Sequence, residues 1–415
     1  MKKAILIPTI GVATILITVG VPYTLNKVNL KNEKETKELL IKNIKNNYNQ
    51  FIKVKDDTEI YGLIDNEYVK VGSLSKNNEF ELDVITTEDN EYFRIKNTDY
   101  YLKYTDVTPI EALTKIDTRY QNFIAFAENI IITPNSKITD ENNNYLSLNT
   151  EISVPIIIKE ENKYGFEYLG KLYYVSKDDV TITEGEKANE KTASKVLTLT
   201  YHFIYDPVEK DCNQSICQTL EQFESHLKYL KDNNFFVMKL EELEMYLDGK
   251  VNIPKNSIVL TIDDGYISEK AIRLLEEYET YATLFVITGH FKSFDKFQSP
   301  YLALESHTDG MHKQYACKGM GNQGGGILCL VEETALADLK LSQEKINGST
   351  YFAYPFFDYN NRAIEILKKA GFKMAFIGQS STNGFSKPGI NKYKIPRKTV
   401  FSNTNVDKLK EILNS

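Results

Sequence analysis

From residue 196 to the end of the chain, short apolar runs alternate with amphipathic helical patterns, and this alternation limits the fold more than any other feature. The strand-like runs are VLTLTYHFIY (196–205), FFVMKL (235–240), SIVLTIDDGY (257–266), ATLFVI (282–287), YLALESHT (301–308), TYFAYPF (350–356) and FKMAFIG (372–378). Between them, TLEQFESHLKYLKDNN (219–234), SEKAIRLLEEYET (268–280), ETALADLKLSQEKING (333–348) and NRAIEILKKAG (361–371) repeat apolar residues at helical spacing. Repeated strand-then-helix units call for a parallel sheet, and closure into a barrel is the natural result. The expected class is therefore α/β, with a distorted (β/α)7 barrel over 196–415. Barrel enzymes place their chemistry at the C-terminal ends of the strands, where this sequence collects its polar residues.

The rest of the chain reads differently. Met1-Lys2-Lys3 precedes an uncharged stretch, AILIPTIGVATILITVGV (4–21), which as a helix rises roughly 27 Å, just enough for a bilayer core. The expectation is a transmembrane helix within 1–25, anchoring a single-pass protein in the cell membrane with its catalytic domain outside. A cleaved signal peptide, giving a secreted protein, is the competing reading. A polar, partly helical spacer is expected over 26–50. Short alternating runs then suggest two small β-rich modules, 51–125 and 126–184. EYFRIKNTDYYLKYTDV (91–107) and KYGFEYLGKLYYVSKDDV (163–180) end alike at an offset of 73 residues. The modules resemble bacterial SH3-like domains, which implies attachment to a cell wall; a single irregular β-domain is the alternative. Residues 185–195 read as a linker.

Cysteine usage fits an exported protein. Cys212 and Cys217 bracket one short loop and Cys317 and Cys329 another, so two local disulfides are expected outside the cell. A thiolate zinc site is the weaker reading because CxxC pairs are missing, and free thiols stay open if the envelope is not oxidising. The Gly-rich loop 318–328 would be pinned by the second pair as a rim over the site. Lys+Arg is 50 against 57 Asp+Glu, a net charge of −7. Nucleic acid is thereby excluded as the main partner, since no basic excess exists to release counterions.

Three strand ends carry the chemistry. SIVLTIDDGY ends in Asp263-Asp264-Gly265. Adjacent carboxylates on a regular strand point to opposite faces, so bringing both to one site needs a distorted end, which Gly265 permits. Another strand ends in Glu305-Ser306-His307-Thr308, with His312 in the same loop. Two His and one carboxylate make a common divalent-metal triad with open positions. The third strand runs through Tyr351-Phe352-Ala353-Tyr354 into Pro355-Phe356, a turn whose N–H groups could meet an oxyanion.

Together these segments resemble the NodB-homology polysaccharide deacetylases, carbohydrate esterase family 4, over residues 195 to 415. TIDDG (261–265), SHTDGMH (306–312) and AYPF (353–356) stand where that family has its three motifs. The resemblance implies that Asp263 is the general base, that Asp264, His307 and His312 hold a divalent metal, and that Phe356 supplies an oxyanion N–H. Zinc is the expected ion, and an Asp-His-His set also accepts cobalt, nickel or iron. Four residues separate the two His, as in the branch acting on poly-β-1,6-linked N-acetylglucosamine, which Tyr201-His202 and Ile395-Pro396-Arg397 also resemble. The implied substrate is an N-acetylglucosamine-containing cell-surface glycan, either such an exopolysaccharide or peptidoglycan.

The departures are specific. Ser349-Thr350-Tyr351 replaces the usual third-motif Arg, Phe357 replaces Gly, Trp is absent, and no His follows His312. His202 is therefore the candidate proton donor and Arg397 the candidate residue to orient Asp263. These gaps leave two alternatives to an N-deacetylase: a non-catalytic wall-binding protein with a degenerate barrel, or an O-acetyl esterase. Tyr201, Tyr266 and Tyr354 are aromatic candidates for stacking on sugar near the mouth.

Overall fold

The computed structural model describes residues 31–32, 34–42, 51–86, 91–186, 191–315, 317, 325–378 and 381–414. The expected membrane segment, both ends of the spacer and residues 318–324 of the Gly-rich loop lie outside the described residues. Within the spacer, 31–32 and 34–42 are helical. Among the described residues no helix is long and apolar enough to cross a membrane. The chain divides into two compact units. One comprises residues up to Tyr120 with Glu128–Ile156 and Glu160–Gly185; the other comprises Gln121–Ala127, Ile157–Lys159 and Glu186–Ser415.

The first unit is built of short antiparallel strands. Phe51–Val54 and Tyr92–Ile95 alternate half-buried and buried positions, the period-2 signature of a sheet with one wet face. Asp65, Asn66, Asn77, Asn97 and Asn143 take positive φ, which explains why Asn and Asp punctuate the runs. The two matching sequence segments have matching structures. Strand Tyr100–Lys103, a 3-10 turn and strand Val107–Ile110 correspond to strand Lys171–Ser176, a 3-10 turn and strand Val180–Glu184. Both halves share one sheet, because Tyr145–Leu148 pairs with Glu67–Leu74 in the register Leu146↔Leu74.

The second unit carries a parallel sheet: β1 (Val196–Tyr201), β2 (Ser257–Asp264), β3 (Ala282–Val286), β4 (Leu302–Ser306), β5 (Tyr351–Ala353) and β6 (Met374–Phe376), each hydrogen-bonded to the next. Every residue of β1 and β2 is buried, as expected for apolar strands covered on both faces. A short β7 (Lys398–Thr399) pairs with the other side of β1, and Ile395, just before it, bridges Phe376 of β6. The expected barrel is thus a curled sheet, its first and last strands spanned by the short segment 395–399. The expected strand 235–240 is corrected as well. Only Phe236–Val237 is strand, paired to the start of β2, because Leu240 already opens a helix.

Helices α1 (Leu220–Asp232), α2 (Leu240–Leu247), α3 (Glu269–Glu277), α4 (Glu332–Lys345), α5 (Asn361–Lys369) and α6 (Val406–Leu413) complete the unit. Thr219, Ser268, Asn360 and Asn405 cap α1, α3, α5 and α6 through their side chains, satisfying first-turn N–H groups. Phe223 and Leu227 of α1 and Ala271 and Leu275 of α3 pack on Leu199, Leu260, Ile262 and Leu284. Ala335 and Leu339 of α4 and Ile366 and Leu367 of α5 pack on Phe352 and Ala375. These two apolar layers hold the strand ends that carry the polar residues.

Candidate active site

The end of β2 is where the backbone departs from regularity. Asp264 has φ 72° and Gly265 φ 98°, and the Gly265 N–H donates to Asp263 O at 2.9 Å. This left-handed step turns two successive carboxylates toward one site, so the distortion falls on Asp264 as well as on the glycine. A Cβ at Gly265 would come within 2.7 Å of the Phe291 ring. A non-glycine residue in this region is strained, and such strain collects at functional sites.

Asp264 meets two imidazoles. Its Oδ1 lies 3.5 Å from His307 Nε2 and 3.4 Å from His312 Nε2, and one ligand atom from each of the three residues falls within 4.8 Å of the others. His307 Nδ1 donates to Ala353 O at 2.8 Å, which fixes the tautomer and leaves Nε2 with its lone pair toward Asp264. Burial raises the Asp264 pKa, but His307 and the other imidazole charges outweigh it and bring it to about 2. Burial and the His307 charge push His312 down to about 4. Burial also opposes charge on His307, yet Asp264, Asp263 and the Ala353 carbonyl hold its pKa above the ordinary value. Two nitrogens and one carboxylate oxygen form a donor set that suits a divalent transition metal.

Asp263 stands in a closed box. Arg397, fully buried, grips it with both ends of its fork, Nη1 to Oδ1 and Nη2 to Oδ2, each at 2.7 Å. Arg397 also donates to Thr261 Oγ1 at 3.2 Å and Ile377 O at 3.3 Å, and lies within 5.3 to 5.9 Å of the rings of Phe285, Phe357 and Phe376. Burial alone would raise the Asp263 pKa; Arg397 reverses this and holds it below the ordinary value.

His202, the residue after β1, has its buried Nδ1 without a partner among the described residues. Burial lowers its pKa, against the pull of Asp263 and Asp264. Phe356 and Phe357 both have positive φ. The Phe357 N–H is used by Tyr354 O at 2.9 Å, whereas no partner of the Phe356 N–H is found among the described residues. The Phe356 ring lies 4.6 Å from that of His312. The seven residues expected in catalytic or metal-binding roles thus lie at the β1, β2, β4 and β5 ends and the approach to β7. Cys212–Cys217 and Cys317–Cys329 are disulfides. Tyr201 and Tyr354 are core residues; Tyr266 is exposed.

Several supporting residues were not anticipated. Asp338 of α4 accepts the N–H groups of Asp309 and Gly310 at 2.8 and 2.7 Å, steadying the loop that carries His312. Glu305 accepts from Ser349 Oγ and from the Thr350 and Tyr351 N–H groups. It thereby clips β5 to β4, which share only the pair Ser306↔Phe352. Thr261 could have been read from sequence, since it lies two positions before Asp263 on the same strand face.

The chain is similar to several known proteins. The solved structure of IcaB from Ammonifex degensii is 19% identical over 54% of this chain and 99% of its own, with a TM-score of 0.46. BC0361, a polysaccharide deacetylase from Bacillus cereus, is 18% identical over 74% of this chain and 94% of its own, with a TM-score of 0.43. The poly-beta-1,6-N-acetyl-D-glucosamine N-deacetylase of Staphylococcus aureus (strain MRSA252) is 30% identical over 206 residues, 45% of this chain and 67% of that protein. The polysaccharide deacetylase profile matches residues 250–375, the stretch that holds Asp263, Asp264, His307, His312 and Phe356. The chain belongs to the polysaccharide deacetylase family, hydrolases that act on carbon–nitrogen bonds.

Proposed function

We propose that this chain is a metal-dependent N-deacetylase of a cell-surface glycan of the poly-β-1,6-N-acetylglucosamine type. The observation that carries the reading is the bidentate hold of Arg397 on Asp263 beside the Asp264–His307–His312 cluster. The named activity of the Staphylococcus aureus relative supports the substrate. Asp264, His307 and His312 would hold the ion; the donor set suits zinc and also accepts cobalt, nickel or iron. When bound, the ion supplies Lewis acidity toward water and the acetamide carbonyl.

The chain's own groups do the rest. Asp263, kept ionised by Arg397, accepts the proton of the attacking water. The Phe356 N–H faces the oxygen that gains negative charge as the carbonyl carbon becomes tetrahedral. The C–N bond then breaks, acetic acid leaves and ionises in solvent, and the sugar amine takes a proton from His202, which receives in turn the proton that Asp263 took from water. The apolar segment 4–21 and the two disulfides support a location outside the cell, tethered to the membrane. The β-rich first unit is read as a wall-binding region.

The test is acetate release by the purified protein from poly-β-1,6-N-acetylglucosamine and from peptidoglycan, before and after chelation and after metal is restored. Release from the first glycan, abolished by chelation and recovered with zinc, is expected. No release from either at full metal occupancy would leave the non-catalytic reading standing.

A further inference from the structure

Helix α4 turns a polar stripe toward the loop that carries His312. Asp338, Ser342 and Lys345 stand at positions i, i+4 and i+7, one face of the helix. Asp338 Oδ1 accepts the Asp309 N–H at 2.8 Å, and its Oδ2 accepts the Gly310 N–H at 2.7 Å. Ser342, fully buried, shares a hydrogen bond of 2.8 Å with Ser306 Oγ. Ser306 Oγ in turn accepts the Thr308 N–H at 3.2 Å. Lys345 donates to Asp309 Oδ1 at 2.6 Å. The stripe thus holds residues 306–310, the stretch that leads from the end of β4 past His307 toward His312. Apolar packing of α4 falls to Ala335 and Leu339, which leaves these three side chains to the loop.

The loop is held from a second element as well. Thr288, buried just beyond β3, donates from Oγ1 to Asp309 Oδ1 at 2.7 Å and from its N–H to Thr308 O at 3.0 Å. The Gly289 N–H donates to Asp309 O at 3.1 Å. A Cβ at Gly289 would stand 2.4 Å from that oxygen, so only glycine allows the approach. Between the two supports Thr308 takes φ 73°, a left-handed conformation that is costly for a β-branched residue. Such a conformation persists only where its surroundings impose it. Beyond this turn the chain returns the His312 ring to 4.7 Å from that of His307, with Nε2 3.4 Å from Asp264 Oδ1.

We propose that Asp338 is the positioning residue of the Asp264–His307–His312 cluster. By binding two successive N–H groups of the loop it holds His312 where three ligands can share one ion, and so sets the affinity for that ion. Lys345 assists it through the Asp309 carboxylate. The inference rests on the metal-dependent reading of the site. Among the described residues Asp338 hydrogen-bonds none of the three ligands, so its loss leaves every ligand in the chain. What is lost is the restraint on the strained turn at Thr308, and the His312 ring moves away as that turn relaxes.

The experiment titrates the full chain with zinc in competition with a chelating dye, using protein shown to be folded by circular dichroism. The unaltered chain is compared with Asp338→Asn, Lys345→Met and Glu344→Gln. Asp338→Asn keeps the shape but presents an NH2 where an N–H needs an acceptor. Its zinc affinity should fall about 10- to 100-fold, the usual cost of losing a group that orients a metal ligand. Lys345→Met should lose less, and Glu344→Gln, on the exposed side of α4, should lose nothing. With cobalt at saturation the visible spectrum of Asp338→Asn should shift, because a displaced imidazole changes the donor set. A merely structural role would lower the unfolding midpoint and leave affinity and spectrum of the folded protein alone. Unchanged zinc affinity or an unchanged cobalt spectrum in folded Asp338→Asn would overturn the proposal. Should that chain not fold, unchanged affinity in Lys345→Met would do so. If the unaltered chain takes up no ion, the metal-dependent reading falls and the proposal with it. If zinc binding depends on Asp338 but neither glycan ever releases acetate, the positioning role stands and the deacetylase reading falls.

Discussion

Asp263 and Asp264 are neighbours in the chain, yet the regions around them are built on opposite principles. Asp263 has both oxygens on one guanidinium at 2.7 Å, and three aromatic rings surround that guanidinium. Its charge is matched and its geometry complete. Asp264 faces two imidazole nitrogens at 3.4 and 3.5 Å, beyond good hydrogen-bond distance. Three ligand atoms converge there without satisfying one another, and an ion would complete them. The left-handed turn at Asp264 lets one dipeptide serve both regions. One carboxylate is matched by the protein, and the other belongs to a donor set that would suit a divalent ion.

The sharpest way to break this comparison is to exchange the failures. Asp264→Ala, His307→Ala or His312→Ala each removes one of three ligands, so metal content and acetate release should both fall to background. Asp263→Asn keeps the shape but cannot accept the proton; it should retain metal while turnover drops at least about 10⁴-fold, the upper end for one general base. Metal analysis beside kinetics separates the two. An Asp263→Asn protein that loses its metal would merge the two regions into one site.

Arg397 tests the closed half. Arg397→Lys keeps a charge but not the fork, and should slow turnover by roughly 10- to 100-fold with KM little changed, which initial rates would show. Arg397→Met strands a buried carboxylate and should cost about 3–5 kcal/mol of stability, measurable by denaturant unfolding. The pH profile has a definite sign. Arg397 now holds the Asp263 pKa below its ordinary value against burial. Without it only the imidazoles of His307 and His202 oppose burial, the pKa rises, and the acid limb of the rate profile moves to higher pH.

The contrast also shows why parts of the site could be read in the sequence. Asp264, His307 and His312 sit at strand ends in short motifs, and metal ligation demands specific residue types at close spacing. The parallel sheet was legible for a similar reason, since β1 and β2 are rich in Val, Leu and Ile with Thr between them and are buried throughout. Arg397 is reached only through the resemblance, by way of the missing third-motif Arg and the segment Ile395-Pro396-Arg397, because 134 residues separate it from Asp263. Nothing local marks a buried arginine. Asp338 and Glu305 were invisible because each acts by accepting backbone N–H groups, a role that any acidic residue at the right depth could fill. The curl of the sheet depends on two residues of β7 and one bridge at Ile395, too short to leave a strand pattern.

A separate effect, confined to proton transfer, is expected at His202. It follows β1 in the same basin as Asp263, and its buried Nδ1 has no partner among the described residues. Desolvation lowers its pKa more than Asp263 and Asp264 raise it, so it is neutral at pH 7. To protonate the leaving amine it must first receive a proton within the cycle. An imidazole with a depressed pKa is a strong acid once charged but is charged for little of the time. Loss of this donor should therefore cost about 10²-fold, the low end for a general acid. His202→Ala should keep the metal, and the loss should fall on kcat rather than KM, because the proton is needed only as the C–N bond breaks. A His202→Ala protein within a few-fold of the unaltered one would remove His202 from proton transfer and leave Asp263 to return to the amine the proton it took from water.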